Sequence, residues 1–203
     1  MNNRGRSVLV IIHGLPYCLK STLAKDLSTI LHFGLIGTAF FGTATYRSSK
    51  EQFGASRDRR YAACKTIAKS YLSAGYSVVV EGNFSQVRWR RGILDYCRLH
   101  RIPVALVRCW CSRPQEIRRR YLRRRSNRYS LDRGADRNAY ELELASEILV
   151  KQLELSALTE YVQLDLDTGS WTLKTVRSRP GDQLGVVKKA VSGWVRYKKT
   201  TYD

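Results

Sequence analysis

The chain has 203 residues, 43% hydrophobic and 26% charged, which fits one globular domain with a substantial core. It carries 36 Lys and Arg against 17 Asp and Glu, a net charge of +19, which favours polyanionic partners such as nucleic acids or phosphorylated substrates. No apolar window of about 18 residues exists, which excludes a membrane-spanning helix.

The start, MNNRGRSVLVIIHG, joins charges to a short apolar run, with no small-residue cleavage site after it. It reads as a buried first strand over 8–12 rather than a signal peptide. A glycine-bearing turn follows, then an amphipathic helix over 20–32 with Leu23, Leu27 and Ile30 at helical spacing. A second strand is expected over 35–41, and a helix over 57–74 ends at Gly75, which suits a left-handed cap. Residues 77–82 read as a buried parallel strand ending in Glu81, followed by a helix over 86–100 that stops before Pro103. A further strand spans 104–110, and Pro114 opens a helix at its first turn. An Arg-rich polar gap covers 125–136, an amphipathic helix 137–155, a last strand 161–166, and a terminal helix 182–197. Both ends, MNNRGR and YKKTTYD, are expected to fray.

Strands alternating with helices predict an α/β domain: a five-stranded, mostly parallel sheet in a three-layer α/β/α arrangement. Residues 1–203 form a single domain, with a lid segment at about 113–136. The five cysteines (Cys18, Cys64, Cys97, Cys109 and Cys111) form no ligand pattern. They are expected to be reduced thiols in a cytoplasmic protein.

The turn after the first strand reads Gly14-Leu15-Pro16-Tyr17-Cys18-Leu19-Lys20-Ser21-Thr22. It meets the phosphate-loop pattern G-x-x-x-x-G-K-[ST] at Gly14, Lys20 and Ser21, with Leu19 in place of the second glycine. In such a loop, backbone N–H groups cradle the β-phosphate, the lysine reaches the β/γ oxygens, and the Ser hydroxyl holds Mg²⁺. Gly14, Leu19, Lys20, Ser21 and Thr22 are therefore the candidate ATP-binding residues. Leu19 is expected to crowd the phosphate or adopt a costly backbone angle. Glu81, at the C-terminal end of its strand, is placed to hold the Mg²⁺ shell or accept a substrate proton, or to serve as a helix-capping acid. Arg113 to Arg128 contains eight arginines and fits a basic lid over polyphosphate, a nucleic-acid contact surface, or a solvated basic helix. Arg88, Arg90 and Arg91 surround Trp89, a combination that suits stacking on a base or a helix with its Trp buried. With Arg119 and Arg124 they are the candidate nucleic-acid contacts.

These motifs resemble the small P-loop kinases of the AAA_33/zeta-toxin-like group, which includes polynucleotide kinases, chloramphenicol phosphotransferase and the seryl-tRNA(Sec) kinases. The likeness covers nearly the whole chain. It rests on Gly14-Leu15-Pro16 with Lys20-Ser21-Thr22-Leu23-Ala24, on Ala74 to Phe84, on Arg91, and on Arg113-Pro114-Gln115-Glu116-Ile117 leading into Arg118 to Arg125. The resemblance implies that Lys20 binds the β/γ-phosphate, that Ser21 ligates Mg²⁺, and that Arg118 or Arg123 is a lid arginine. Tyr17 and Leu19 replace two small residues of the family loop, and Glu81 stands where Asp is more usual. The stretch 36–47 has no acid where the family carries one after its second strand.

Three functions follow as expectations. The first is ATP- and Mg²⁺-dependent phosphoryl transfer to a hydroxyl of a nucleic acid or nucleotide-type substrate, using Lys20, Glu81, Arg118 and Arg123. The second is a non-catalytic binder of RNA or ribonucleoprotein, RNA being favoured over DNA. The third is a small-molecule phosphotransferase of the antibiotic-kinase type.

Overall fold

A computed structural model describes residues 7–14, 16–41, 55–84, 87–126, 161–177 and 182–202. The expected helix over 137–155 and most of the 125–136 gap lie outside these residues, as do the side chains of Arg88 and Arg124.

Leu9–Gly14 forms β1, and Lys20–Leu31 forms α1. Gly34–Gly37 is β2, Ala55–Ser73 is α2, Val78–Glu81 is β3 and Val87–Leu99 is α3. Val104–Trp110 is β4, Pro114–Ser126 is α4, Tyr161–Asp167 is β5, Thr172–Arg177 is β6, and Asp182–Tyr202 is α5. The sheet has six strands in the order β2-β3-β1-β4-β5-β6. All neighbours are parallel except β5 and β6, which are antiparallel.

The strands are apolar on both faces because helices cover both. On one face Val8, Val10 and Ile12 pack with Val79, Ala105 and Val107 beneath α1 (Leu23, Leu27) and α5 (Val187, Val191, Trp194). On the other, Leu9 and Ile11 pack with Val78, Val80 and Leu106 beneath α2 (Tyr61, Cys64, Ala68) and α3 (Trp89, Ile93, Cys97). Alternation along each strand makes this division, so His13 continues the α2/α3 face and Glu81 turns to the α1 face.

Three expectations are corrected. The sheet has six strands, not five. β6 was missed because its exposed, mixed sequence TLKTVR has no buried apolar run; it is an edge strand with Lys174 pointing to solvent, which guards against pairing with another chain. The strand expected over 35–41 ends at Gly37, paired with Glu81 where β3 itself ends, and a 3-10 turn over Thr38–Phe41 follows. The C-terminal segment does not fray at YKKTTYD: α5 runs to Tyr202, with the Thr200 and Thr201 hydroxyls donating to the Tyr197 carbonyl. Among the described residues the other boundaries hold within a few residues, and Gly75 takes φ 85° after α2 as its cap requires.

Candidate phosphate-loop site

The site begins with the exit from β1. Gly14 has φ 132°, and a Cβ there would lie 2.0 Å from the Cys109 carbonyl oxygen on β4, so only glycine fits. The chain then turns through Tyr17 (φ 62°) and Leu19 (φ 58°), both left-handed. These are two bulky residues in a conformation that suits glycine, at the positions where small residues are replaced. The strain expected at Leu19 is thus present, and Tyr17 shares it.

Leu19 is also the residue that begins α1, and no side chain caps the helix there. No acid occupies the first turn. The helix start therefore keeps its positive end for an anion. Lys20, the first helical residue, is 6% exposed, while Ser21 and Thr22 face solvent.

Glu81 meets this helix from β3. The Ser21 hydroxyl donates to Glu81 Oε1 at 3.2 Å, and Glu81 is 7% exposed. A hydroxyl and a carboxylate brought together beside a lysine form a hard oxygen donor set that fits Mg²⁺. Thr38 packs over Gly82, where an added Cβ would come 2.8 Å from its methyl group. Thr38 thus stands next to Glu81, on the stretch that lacks an acid.

Helix α4 reaches the loop through Arg120, a residue the sequence reading did not select. Arg120 Nη1 donates to the Tyr17 carbonyl (3.1 Å) and to Thr168 Oγ1 (2.9 Å). Nη2 donates to the Thr168 carbonyl at 2.9 Å, and Nε to Glu116 Oε1 at 2.8 Å. Tyr17 and Tyr121 also meet edge to face, with ring centroids 5.5 Å apart. Burial pushes the Glu116 carboxyl up, but the Arg119 hydrogen bond and the Arg120 charge outweigh it and hold it below its ordinary value. Arg118 and Arg123, on the same helix, are exposed. A lone arginine among eight carries no sequence signal for such a role. The i, i+4 spacing of Glu116 and Arg120 is the one clue.

The turn from β5 to β6 buttresses the clasp. Asp167 accepts from the backbone N–H of Ser112 (2.9 Å) and Gly169 (2.8 Å) and from the Ser170 hydroxyl (2.6 Å). Burial raises its pKa, and these donors together lower it below the ordinary aspartate value.

The second basic cluster departs from expectation. Trp89 is 4% exposed, stacks on Tyr61 at 4.5 Å, and donates its indole N–H to Asp58, so its ring offers no platform for a base. Arg90 is fully buried rather than on a contact surface. Tertiary packing of α3 against α2 decided this, and a pattern of alternating Arg and Trp cannot report it. Arg91 is exposed, and Arg119 is exposed and paired with Glu116.

Residues 9–146 match the AAA_33 family, an AAA domain. The chain belongs to the AAA_33 family. Its fold is that of the P-loop kinases. It is similar to the structure of a provisional kinase from Chloroflexus aurantiacus j-10-fl, at 20% identity over 97% of each chain with a TM-score of 0.60. It is also similar to Kti12 of Chaetomium thermophilum in complex with ADP-AlF3, at 21% identity over 68% of this chain and 79% of that one, TM-score 0.52. A third likeness is to the PezAT toxin-antitoxin system of Streptococcus pneumoniae, at 12% identity over 95% and 88%, TM-score 0.59. No curated protein matches the chain. Among the described residues no helix is long and apolar enough to cross a membrane.

Proposed function

We propose that this AAA_33 protein transfers the γ-phosphoryl group of ATP to a hydroxyl of a nucleotide-type or nucleic-acid acceptor. The observation that carries this reading is the Ser21 hydroxyl on Glu81 Oε1 at the start of α1, where the buried Lys20 is the first helical residue. The Kti12 structure of the same fold holds ADP-AlF3, which supports a nucleotide at the corresponding loop.

The P–O bond to ADP breaks as the acceptor oxygen bonds to phosphorus, giving ADP and a phosphate monoester, and the hydroxyl proton leaves to a carboxylate or to water. Lys20 and the start of α1 bind the phosphate oxygens and orient them in line. Ser21 and Glu81 would hold Mg²⁺, which when bound neutralises charge on the phosphates. Glu81 is the candidate proton acceptor from the attacking hydroxyl. Arg120 fixes the loop's backbone at Tyr17, and Arg118 and Arg123, exposed on the same helix, supply guanidinium groups for the transferring phosphoryl group. The +19 charge favours an anionic acceptor.

The test is transfer of label from γ-³²P-ATP to RNA, DNA, nucleotides and small hydroxyl compounds by folded protein. Transfer to none of them ends the reading. Lys20→Ala is expected to remove the effect of ATP on thermal stability.

A non-catalytic RNA-binding role is the second reading, favoured by left-handed Tyr17 and Leu19 and by exposed Arg118, Arg119 and Arg123 on α4. Calorimetry with ADP and Mg²⁺ separates the two: binding supports the kinase, and its absence supports the binder. RNA affinity in the binder falls steeply with salt as counterions are released.

A further inference from the structure

We propose that Arg90 anchors an acceptor subsite that takes a terminal phosphate monoester, across β1 from the nucleotide loop. This rests on the phosphoryl-transfer reading and names the chemistry of its second substrate.

Arg90 has no exposed surface, and none of Nε, Nη1 and Nη2 has a hydrogen-bond partner. A guanidinium carries five N–H donors and keeps its proton in proteins. Burial lowers the Arg90 pKa to about 10, so it stays charged at neutral pH. A buried charge without a partner is strongly disfavoured unless something anionic joins it. Two other half-buried arginines have their anions or carbonyls. Arg108 forms a two-pronged pair with Asp165, and Arg120 bonds Glu116, Thr168 and Tyr17.

A second orphaned group lies on the same face. His13, next to last in β1, lies on the α2/α3 side, is buried, and has no partner for Nδ1. Burial first, then the charges of Arg90, Arg108 and Lys20, push its pKa well below the ordinary value. Arg90 and Lys20 therefore share an electrostatic neighbourhood at the C-terminal ends of the strands, where ligands of open α/β sheets sit. Arg90 also lies in the first turn of α3, whose positive end adds to the attraction for an anion. Glu81 turns to the opposite face with Ser21, so the anion site and the nucleotide loop flank β1 from two sides.

The chemistry of the guanidinium selects the ligand. Its fork matches two oxygens of a tetrahedral phosphate. A terminal monoester offers three free oxygens and more negative charge than an internal diester, which favours a chain end. Tyr61 and Trp89 stack on each other and leave no face for a base. The subsite thus reads the phosphate rather than the base of its ligand.

Inorganic phosphate is the probe. In the K20A variant the loop no longer competes for it. Titration followed by calorimetry and by the Arg90 Nε–H resonance is expected to saturate one site and to shift that resonance. Adding R90M is expected to weaken phosphate at least tenfold, with R90K intermediate because it keeps the charge and loses the fork. Ribose 5-phosphate, a nucleoside monophosphate and a 5′-phosphorylated oligonucleotide are expected to compete with phosphate, and the same oligonucleotide without its terminal phosphate is not. No phosphate binding in K20A, unchanged binding in K20A/R90M, or an unmoved Arg90 resonance at saturation overturns the subsite. Competition by the dephosphorylated oligonucleotide overturns the monoester assignment. The kinase reading fails separately: a wild-type protein that binds no ADP would remove it while leaving phosphate binding in K20A intact.

Discussion

Arg120 Nη1 on α4 donates to the Tyr17 carbonyl at 3.1 Å, tying that helix to the phosphate loop at a residue whose φ is 62°. The same guanidinium holds Thr168, so one side chain joins the loop, α4 and the turn after β5.

Arg120→Ala is expected to lower unfolding stability by about 2–3 kcal/mol, because several charged hydrogen bonds are lost and the Thr168 carbonyl is left unpaired. ADP affinity is expected to fall about tenfold as Tyr17 loses its tether. Arg120→Lys restores little of either, since an ammonium cannot reproduce the fork. Urea denaturation and calorimetry measure both effects; a loss below about 0.5 kcal/mol means the clasp does not hold the loop.

Leu19→Gly relieves a left-handed backbone that costs a bulky residue about 1–2 kcal/mol. It also removes a half-buried side chain packed against the α1 core, a loss of about the same size. Stability is expected to change little, and ADP affinity to rise about fivefold as crowding at the phosphate is removed. Unchanged or weaker ADP binding would show that the loop closes on nucleotide in another shape.

Glu81→Gln keeps the shape of the side chain and removes its charge. The dependence of ADP affinity on Mg²⁺ is expected to drop about tenfold or more, while affinity without Mg²⁺ stays the same or improves slightly. An ADP titration at several Mg²⁺ concentrations reads this directly. A variant with the wild-type Mg²⁺ dependence would remove Glu81 from the metal site.

Asp167 has a folded-state pKa below the ordinary aspartate value of 3.8, so its stabilisation is complete above that value. It fades as pH falls through the depressed folded pKa, where the carboxylate protonates and its three donors lose their acceptor. Asp167→Asn is expected to cost about 1–3 kcal/mol at pH 7, and the gap from wild type is expected to narrow in acid. Denaturation midpoints from pH 7 down to pH 2 test this, and a gap that is constant across the range refutes it.

Most of the fold was legible because parallel strands buried on both faces write continuous runs such as LVII and VVVE, and the intervening helices carry their own stop signals. The loop was legible through Lys20, Ser21 and Thr22, and the strain at Leu19 through the missing glycine. Glu81 could be placed because an acid ending a buried strand stands out. Arg120 could not, since its role depends on which of many arginines faces Thr168, and Thr168 is 48 residues away. Arg90 was placed among the contact residues, and Trp89 was left between stacking and burial, for a related reason. Helical periodicity allows either face, and the partner that buried them, Tyr61 on α2, lies in another element. β6 escaped because edge strands need no buried run.

All five cysteines are reduced thiols, and four are sealed in the two cores; burial pushes Cys64 and Cys97 up to about 12. Only Cys111 is partly open, at the junction of β4 and α4, with its thiol against the Arg113 carbonyl. The wild-type protein therefore offers a single site for thiol-directed dyes at the root of α4. A fluorophore placed there would report any movement of α4 on addition of nucleotide in real time, with no engineered cysteine and no native one to remove.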